Sequence, residues 1–326
     1  MFKKIILIMF GLALVLSGCT SSQSANGTGA LTKITVPMGY IPNIQFAPFY
    51  VAIQKGYFRQ AGIDIAFDYK LETDGVKLVG SGELPFAIVS GEQVLLARAQ
   101  GLPVTYIAAW YQQYPVSIVS KSDLGILIPQ DLKGKKIGIP GLFGASYVGL
   151  RALLFEAKMN ESDVTLDSIG FNQVDLFAAG KQDIVVGYSA NEPIQLRARG
   201  IPVTEIRVAD YVQLASNGIL SNEKTIRDNP ELVRRFVGAF LKGLTDTIAN
   251  PDEAFQVSAS YIPNFSQLDA NVQKQILQTS IDQWKTQRLG YSDPKAWENM
   301  QNVLLNMGLI TEKQDLSKAY TNEFIP

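Results

Sequence analysis

The chain has 326 residues, 47% hydrophobic and 18% charged, with 29 Lys and Arg against 30 Asp and Glu, one cysteine and no histidine. Lacking imidazole, it can form no Ser-His-Asp triad, Cys-His dyad or His-ligated zinc, and one cysteine closes neither an intramolecular disulfide nor a thiolate cage. A formal net charge of −1 leaves no basic footprint for nucleic acid, and the length allows about two domains of ~150 residues.

At the N-terminus, Lys3 and Lys4 precede a twelve-residue apolar region, 5–16, followed at once by Leu16-Ser17-Gly18-Cys19. Twelve residues are too few to span a bilayer as a helix. Small residues before a cysteine match the bacterial lipobox, so residues 1–18 are expected to be a lipoprotein signal peptide. Cys19 then becomes the lipidated first residue, with several acyl chains holding the protein to the outer face of the cell membrane. Residues 19–30 are small, polar and glycine-bearing and are expected to form a flexible tether.

From Leu31 onward, short apolar runs alternate with helical patterns, which predicts α/β layers with largely parallel sheets. The strand candidates are 34–38, 86–89, 137–140 and 184–188, each followed by a loop and a helix, including helices over 47–55 and 147–157. Asn229-Pro230-Glu231 supplies a cap, a first-turn proline and an acidic first turn, with apolar residues then recurring at helical spacing through Ile248. Asn250-Pro251-Asp252-Glu253 stops that helix and starts another, so the last hundred residues are expected to be mainly helical.

Two segments 99 residues apart, 90–105 and 189–204, align without gaps and agree at seven of sixteen positions. In each, a buried strand runs into a serine, then a helix, a terminating glycine and Pro-Val-Thr, which suggests two similar α/β lobes. In open α/β sheets, ligands sit beyond the carboxyl ends of strands, where helix N-termini present free N–H groups. Ser90, Glu92 and Gln93, with Asn191 and Glu192, are therefore ligand-binding candidates. Alternatively, Ser90 with Gln93, and Ser189 with Glu192, are capping boxes. Two more loops fit the same cleft: 39–46, which brings Tyr40, Asn43, Gln45 and Phe46, and 140–146, which brings Phe143 and Ser146. The second lacks the Gly-Lys-Ser/Thr ending of a nucleotide loop, and no GxGxxG is present.

Pro42-Asn43, Gly56-Tyr57-Phe58, Ala61-Gly62-Ile63-Asp64, Gly80-Ser81-Gly82-Glu83, Gly134-Lys135-Lys136-Ile137-Gly138, Phe143-Gly144, Asn229-Pro230-Glu231-Leu232-Val233-Arg234 and Tyr320-Thr321-Asn322-Glu323 together resemble the thiamine-pyrimidine-synthase-like superfamily. That family holds the enzyme making the thiamine pyrimidine and ABC-transporter receptors for pyrimidines, sulfonates and riboflavin. The resemblance implies the type II periplasmic-binding-protein fold, two α/β lobes with a ligand cleft and a double crossover hinge near 114–115 and 210–211. Lobe 1 would be 31–115 with 212–326, and lobe 2 would be 116–211. It also separates enzyme from receptor. The enzyme branch's lysine position falls on Val89, its histidine positions fall on Gln93 and Phe46, and its cysteine-rich cluster falls on 211–215. Valine forms no Schiff base, so a receptor that works without a cofactor or metal is expected, delivering its ligand to a permease and ATPase.

Aromatic residues in the candidate loops, Tyr40, Phe46, Trp110, Tyr111, Phe143 and Tyr188, can sandwich a flat π system. Trp110 and Tyr111 could instead be hinge packing. Asn43, Gln45, Ser90, Gln93, Ser146 and Asn191 supply polar partners, and Glu92 and Glu192 supply acceptors. No candidate loop carries Arg or Lys, which favours an uncharged ligand over a phosphate or sulfonate. Segments 39–50, 72–76, 90–99, 110–112 and 188–193 look most similar to the riboflavin-receptor branch. Riboflavin is thus the expected ligand, with a formylamino-methylpyrimidine thiamine precursor as the alternative.

Overall fold

The structure is a computed structural model that describes residues 30–69 and 71–326; the lipobox and nearly all of the tether lie outside the described residues. Ten strands occur in chain order: β1 Thr32–Pro37, β2 Ile63–Asp68, β3 Ala87–Val89, β4 Val104–Ala109, β5 Val116–Lys121, β6 Lys136–Ile139, β7 Thr165–Ser168, β8 Ile184–Tyr188, β9 Val203–Arg207 and β10 Gly218–Asn222. The four expected strands are all present, 184–188 with the expected bounds and the others with ends displaced by at most two residues.

In the first lobe β1 pairs with β2, and a second sheet has the order β3-β10-β4. The second lobe is one five-stranded sheet, β7-β6-β8-β5-β9. Pairing is more mixed than the alternation of runs predicts. β1 with β2, and β6 with β7 and β8, are parallel, whereas β5 and β10 run antiparallel to both their neighbours. The reason is topological. β5 and β10 are the strands the chain forms immediately after each passage between lobes, through 110–115 and 208–217, and they enter their sheets from the opposite end. Two such passages make the double crossover.

Asn229 and Asn250 accept from the N–H groups of Leu232 and Glu253, opening the helices Pro230–Ala249 and Pro251–Ser258 as their sequence predicts. The first of these buries Phe236 and Phe240. Phe236 stacks on Phe86 at 4.0 Å and Phe240 meets Phe49 at 4.6 Å, each side chain gaining roughly 1.5–3 kcal/mol from burial. Gly243 lets this helix approach Ala47–Gln54, because a Cβ there would stand 2.2 Å from the carbonyl oxygen of Pro48. The helix expected at 147–157 begins one turn earlier, at Gly144, whose φ of +69° lets the chain turn sharply from the loop into the helix.

Candidate functional site

An aromatic-lined cleft of about 880 Å³ lies between the lobes, walled by the loops that follow β1, β4, β6, β7 and β8. It lies within the size range of small-molecule sites. Gly39 shapes its first wall: φ is +74°, and a Cβ would stand 3.3 Å from both the Ile88 carbonyl oxygen and Glu72 Cβ. This turn delivers Tyr40, whose ring meets Phe171 of the second lobe edge-on at 4.9 Å. Gln45 is held by its amide, which donates to Tyr111 Oη at 3.1 Å and Ser280 Oγ at 3.3 Å.

Phe46, Trp110 and Trp284 form a tilted series with 5.6 Å between successive centroids. Trp110 is only 3% exposed. It and Tyr111 therefore serve both readings, as packed core residues that present an edge to the cleft. Phe143, at the mouth, is 41% exposed. From the second lobe, Glu192 Oε2 accepts the Tyr188 N–H at 2.6 Å while Oε1 accepts from the Asn191 amide at 3.0 Å. Glu192 thereby braces the wall it belongs to, and burial raises its carboxyl to about 7. Asn217, on the return passage, donates to Tyr188 Oη at 3.1 Å.

Of the sequence-derived candidates, Tyr40, Gln45, Phe46, Trp110, Tyr111, Phe143, Ser146, Tyr188, Asn191 and Glu192 line the cleft. Asn43, Ser90, Glu92 and Gln93 do not. Asn43 caps the short 3-10 turn after it by accepting the Gln45 N–H at 2.9 Å, and it faces a neighbouring cavity. Gln93 faces a groove on the other side of the helix Gly91–Ala99. Ser90 and Glu92 are fully buried behind the wall. Neither serine makes the capping box: Ser90 Oγ donates to Glu72 Oε1 at 2.7 Å, and Ser189 Oγ donates to the Pro115 carbonyl at 3.2 Å.

Glu72, Phe171, Gln173 and Asn217 also line the cleft and were not among the candidates. Glu72 opens the helix Glu72–Gly80, inside a segment carrying the family resemblance. Its Oε1 accepts both the N–H and the hydroxyl of Ser90, and Oε2 lies near Gly144, at the N-terminus of the second-lobe helix. A carboxylate is favoured there by the unsatisfied N–H groups of that helix end. Burial nonetheless raises both Glu72 and Glu92, and the charge of Glu72 contributes to bringing Glu92 to about 8. The described lining contains no Lys or Arg. Val89, where the resemblance places the enzyme branch's lysine, is buried in β3. The described lining can thus enclose a flat ring and offer acceptors to ring N–H groups, and it presents neither a cation to an anion nor an amine for a covalent step.

A family model described as NMT1/THI5 like matches residues 43–254. The riboflavin-binding protein RibY of Chloroflexus aurantiacus is 42% identical over 315 residues, covering 94% of this chain and 90% of that protein. A formylaminopyrimidine-binding protein of Halalkalibacterium halodurans is 27% identical, with 91% and 92% covered. A 4-amino-5-hydroxymethyl-2-methylpyrimidine phosphate synthase of Saccharomyces cerevisiae is 26% identical, with 90% and 88% covered. Among solved structures, the alkanesulfonate-binding protein SsuA from Xanthomonas axonopodis pv. citri superposes with a TM-score of 0.71 at 16% identity, covering 90% of this chain and all of that one. That likeness identifies the fold as the periplasmic-binding-protein type.

Proposed function

The chain belongs to the NMT1/THI5-like family, and from that premise we propose that it is the extracytoplasmic receptor of an ABC importer, capturing riboflavin and passing it to a permease. The observation that carries this reading is the cleft itself: aromatic side chains from both lobes, amides at the edges and no cation among the described lining residues. A flat neutral ring gains apolar burial and offset stacking there, whereas a sulfonate or phosphate finds no charge-assisted partner. The 42% identity to a riboflavin-binding relative supports the same ligand.

Binding shifts the lobes towards the closed arrangement, because only there do both walls touch the ring. Release leaves the ligand unaltered: with valine at position 89 and no lysine among the described lining residues, that lining offers no amine to form a Schiff base. Residues 1–18 are read as the signal peptide and Cys19 as the lipid anchor, which puts the receptor at the membrane beside its permease.

Titration of the purified protein with riboflavin is expected to quench flavin fluorescence saturably, with micromolar or tighter affinity. A flat titration overturns the riboflavin assignment. A formylaminopyrimidine that displaces bound riboflavin only at large excess would agree with this ranking, and equal or tighter pyrimidine binding would reverse it.

A further inference from the structure

Past Tyr40 and Phe171 the aromatic cleft adjoins a second cavity of about 1020 Å³. Tyr40, Phe171, Gln173, Asn191 and Glu192 line both spaces, so the edge-on Tyr40–Phe171 pair stands at the boundary between them. The chemistry changes across it. The second cavity is lined by amides, among them Asn43, Gln195 and Gln273.

Gln273 carries most of the weight. It is 9% exposed, faces this cavity, and its side-chain amide makes no hydrogen bond to any described residue. Its amide is open to the cavity instead of being sealed in the core, so what completes its hydrogen bonds is water or a ligand in that space. Gln173, also buried, donates one N–H to the Val186 carbonyl at 3.4 Å and keeps its oxygen for the cavity. The cavity holds one cationic group among its described lining residues, and Asp175 Oδ1 already engages Arg199 at 2.9 Å. With Glu192 on the shared wall, a phosphate is disfavoured, while neutral hydroxyls, each both donor and acceptor, suit the amides.

Resting on the flavin reading, we propose that this cavity is a subsite for a neutral polyhydroxylated chain borne by the ring. The ring lies in the aromatic cleft, the chain passes the edge of Tyr40 and Phe171, and its hydroxyls engage Gln173, Gln195 and Gln273. Each such hydrogen bond is worth roughly three- to tenfold in affinity.

The test compares riboflavin, lumiflavin (the same ring bearing a methyl group in place of the polyol) and riboflavin 5′-phosphate on the wild-type protein and on Gln273→Leu, by flavin fluorescence. Riboflavin is expected to bind at least tenfold tighter than lumiflavin and tighter than its phosphate. Gln273→Leu should weaken riboflavin about threefold to tenfold and leave lumiflavin unchanged. Equal binding of riboflavin and lumiflavin overturns the subsite and leaves the flavin reading standing, and tighter binding of the phosphate overturns its neutral character. Absence of binding by any of the three overturns the flavin reading and the subsite with it. The wild-type ratios decide the matter even if the variant does not fold.

Discussion

Ser90 has one hydroxyl proton and two carboxyl groups within reach, Glu72 and Glu92. Glu72 Oε1 takes that proton together with the Ser90 N–H, so the close contact between Ser90 Oγ and Glu92 is satisfied when Glu92 is a neutral acid donating to the hydroxyl. Tyr106, Tyr114 and Tyr188 face the pair electrostatically, with no cation among the contributing groups. In the unfolded chain Glu92 titrates near the ordinary carboxylate value, and in the fold at about 8. Between those values the folded protein holds a proton that the unfolded chain has lost. This contribution to stability is therefore full below the unfolded value and is lost as pH rises through about 8. Glu92→Gln, which keeps a donor, is expected to flatten the fall in unfolding free energy from urea melts between pH 5 and pH 8.5, by of order 1 kcal/mol per pH unit. Because Glu72 and Glu192 remain in both proteins, equal slopes for variant and wild type would contradict a protonated Glu92. Glu92 was legible in the sequence as a strand-end carboxylate. Its partner Glu72, twenty positions back on another helix, was not, since only packing brings it to Ser90.

At the scale of elements, the repeated strand-serine-helix segment is real in both lobes, as β3 with Gly91–Ala99 and β8 with Glu192–Ala198, but the copies do different work. The first is packed beneath the return passage: a Cβ on Gly91 would stand 2.5–2.8 Å from Ala215 Cβ, carbonyl oxygen and carbonyl carbon. The second places Asn191 and Glu192 on the cleft wall. Local periodicity reports that a helix follows a strand; which face it turns to a ligand depends on the lobe opposite. Gly91→Ala is therefore expected to cost about 1–3 kcal/mol through overpacking. Gly238→Ala, in the middle of Pro230–Ala249 with nothing within 4 Å of the added Cβ, should stabilise by about 0.5–1 kcal/mol. Thermal melts of the two variants should shift in opposite directions, and a shared direction would refute the packing argument at Gly91.

At the scale of the whole molecule, both lobes contribute to one cleft, and buried hydrogen bonds join them away from it. Gln283 of the helix Ala270–Trp284 donates to Ser189 Oγ at 2.7 Å, beside the passage that holds Pro115. If Cys19 anchors the protein, Cys19→Ser should abolish incorporation of labelled fatty acid and release the chain from the membrane fraction while leaving riboflavin binding intact; continued labelling would exclude Cys19 as the acceptor. Four of the strands with the helices that follow them, the capped C-terminal helices and the absence of histidine and of paired cysteine chemistry were determined by the sequence alone, because each depends on residue type or on neighbours a few positions apart. The candidate loops named from the sequence carry no Lys or Arg, which is the basis of the expectation of an uncharged ligand. Only the tertiary structure decided that β5 and β10 reverse the sheet direction, that Ser90 and Glu92 stand behind the wall while Glu72 forms it, and that an amide-lined cavity adjoins the aromatic one. These properties arise where segments tens to hundreds of residues apart meet, and no local pattern encodes the side of a strand end from which its partner will come.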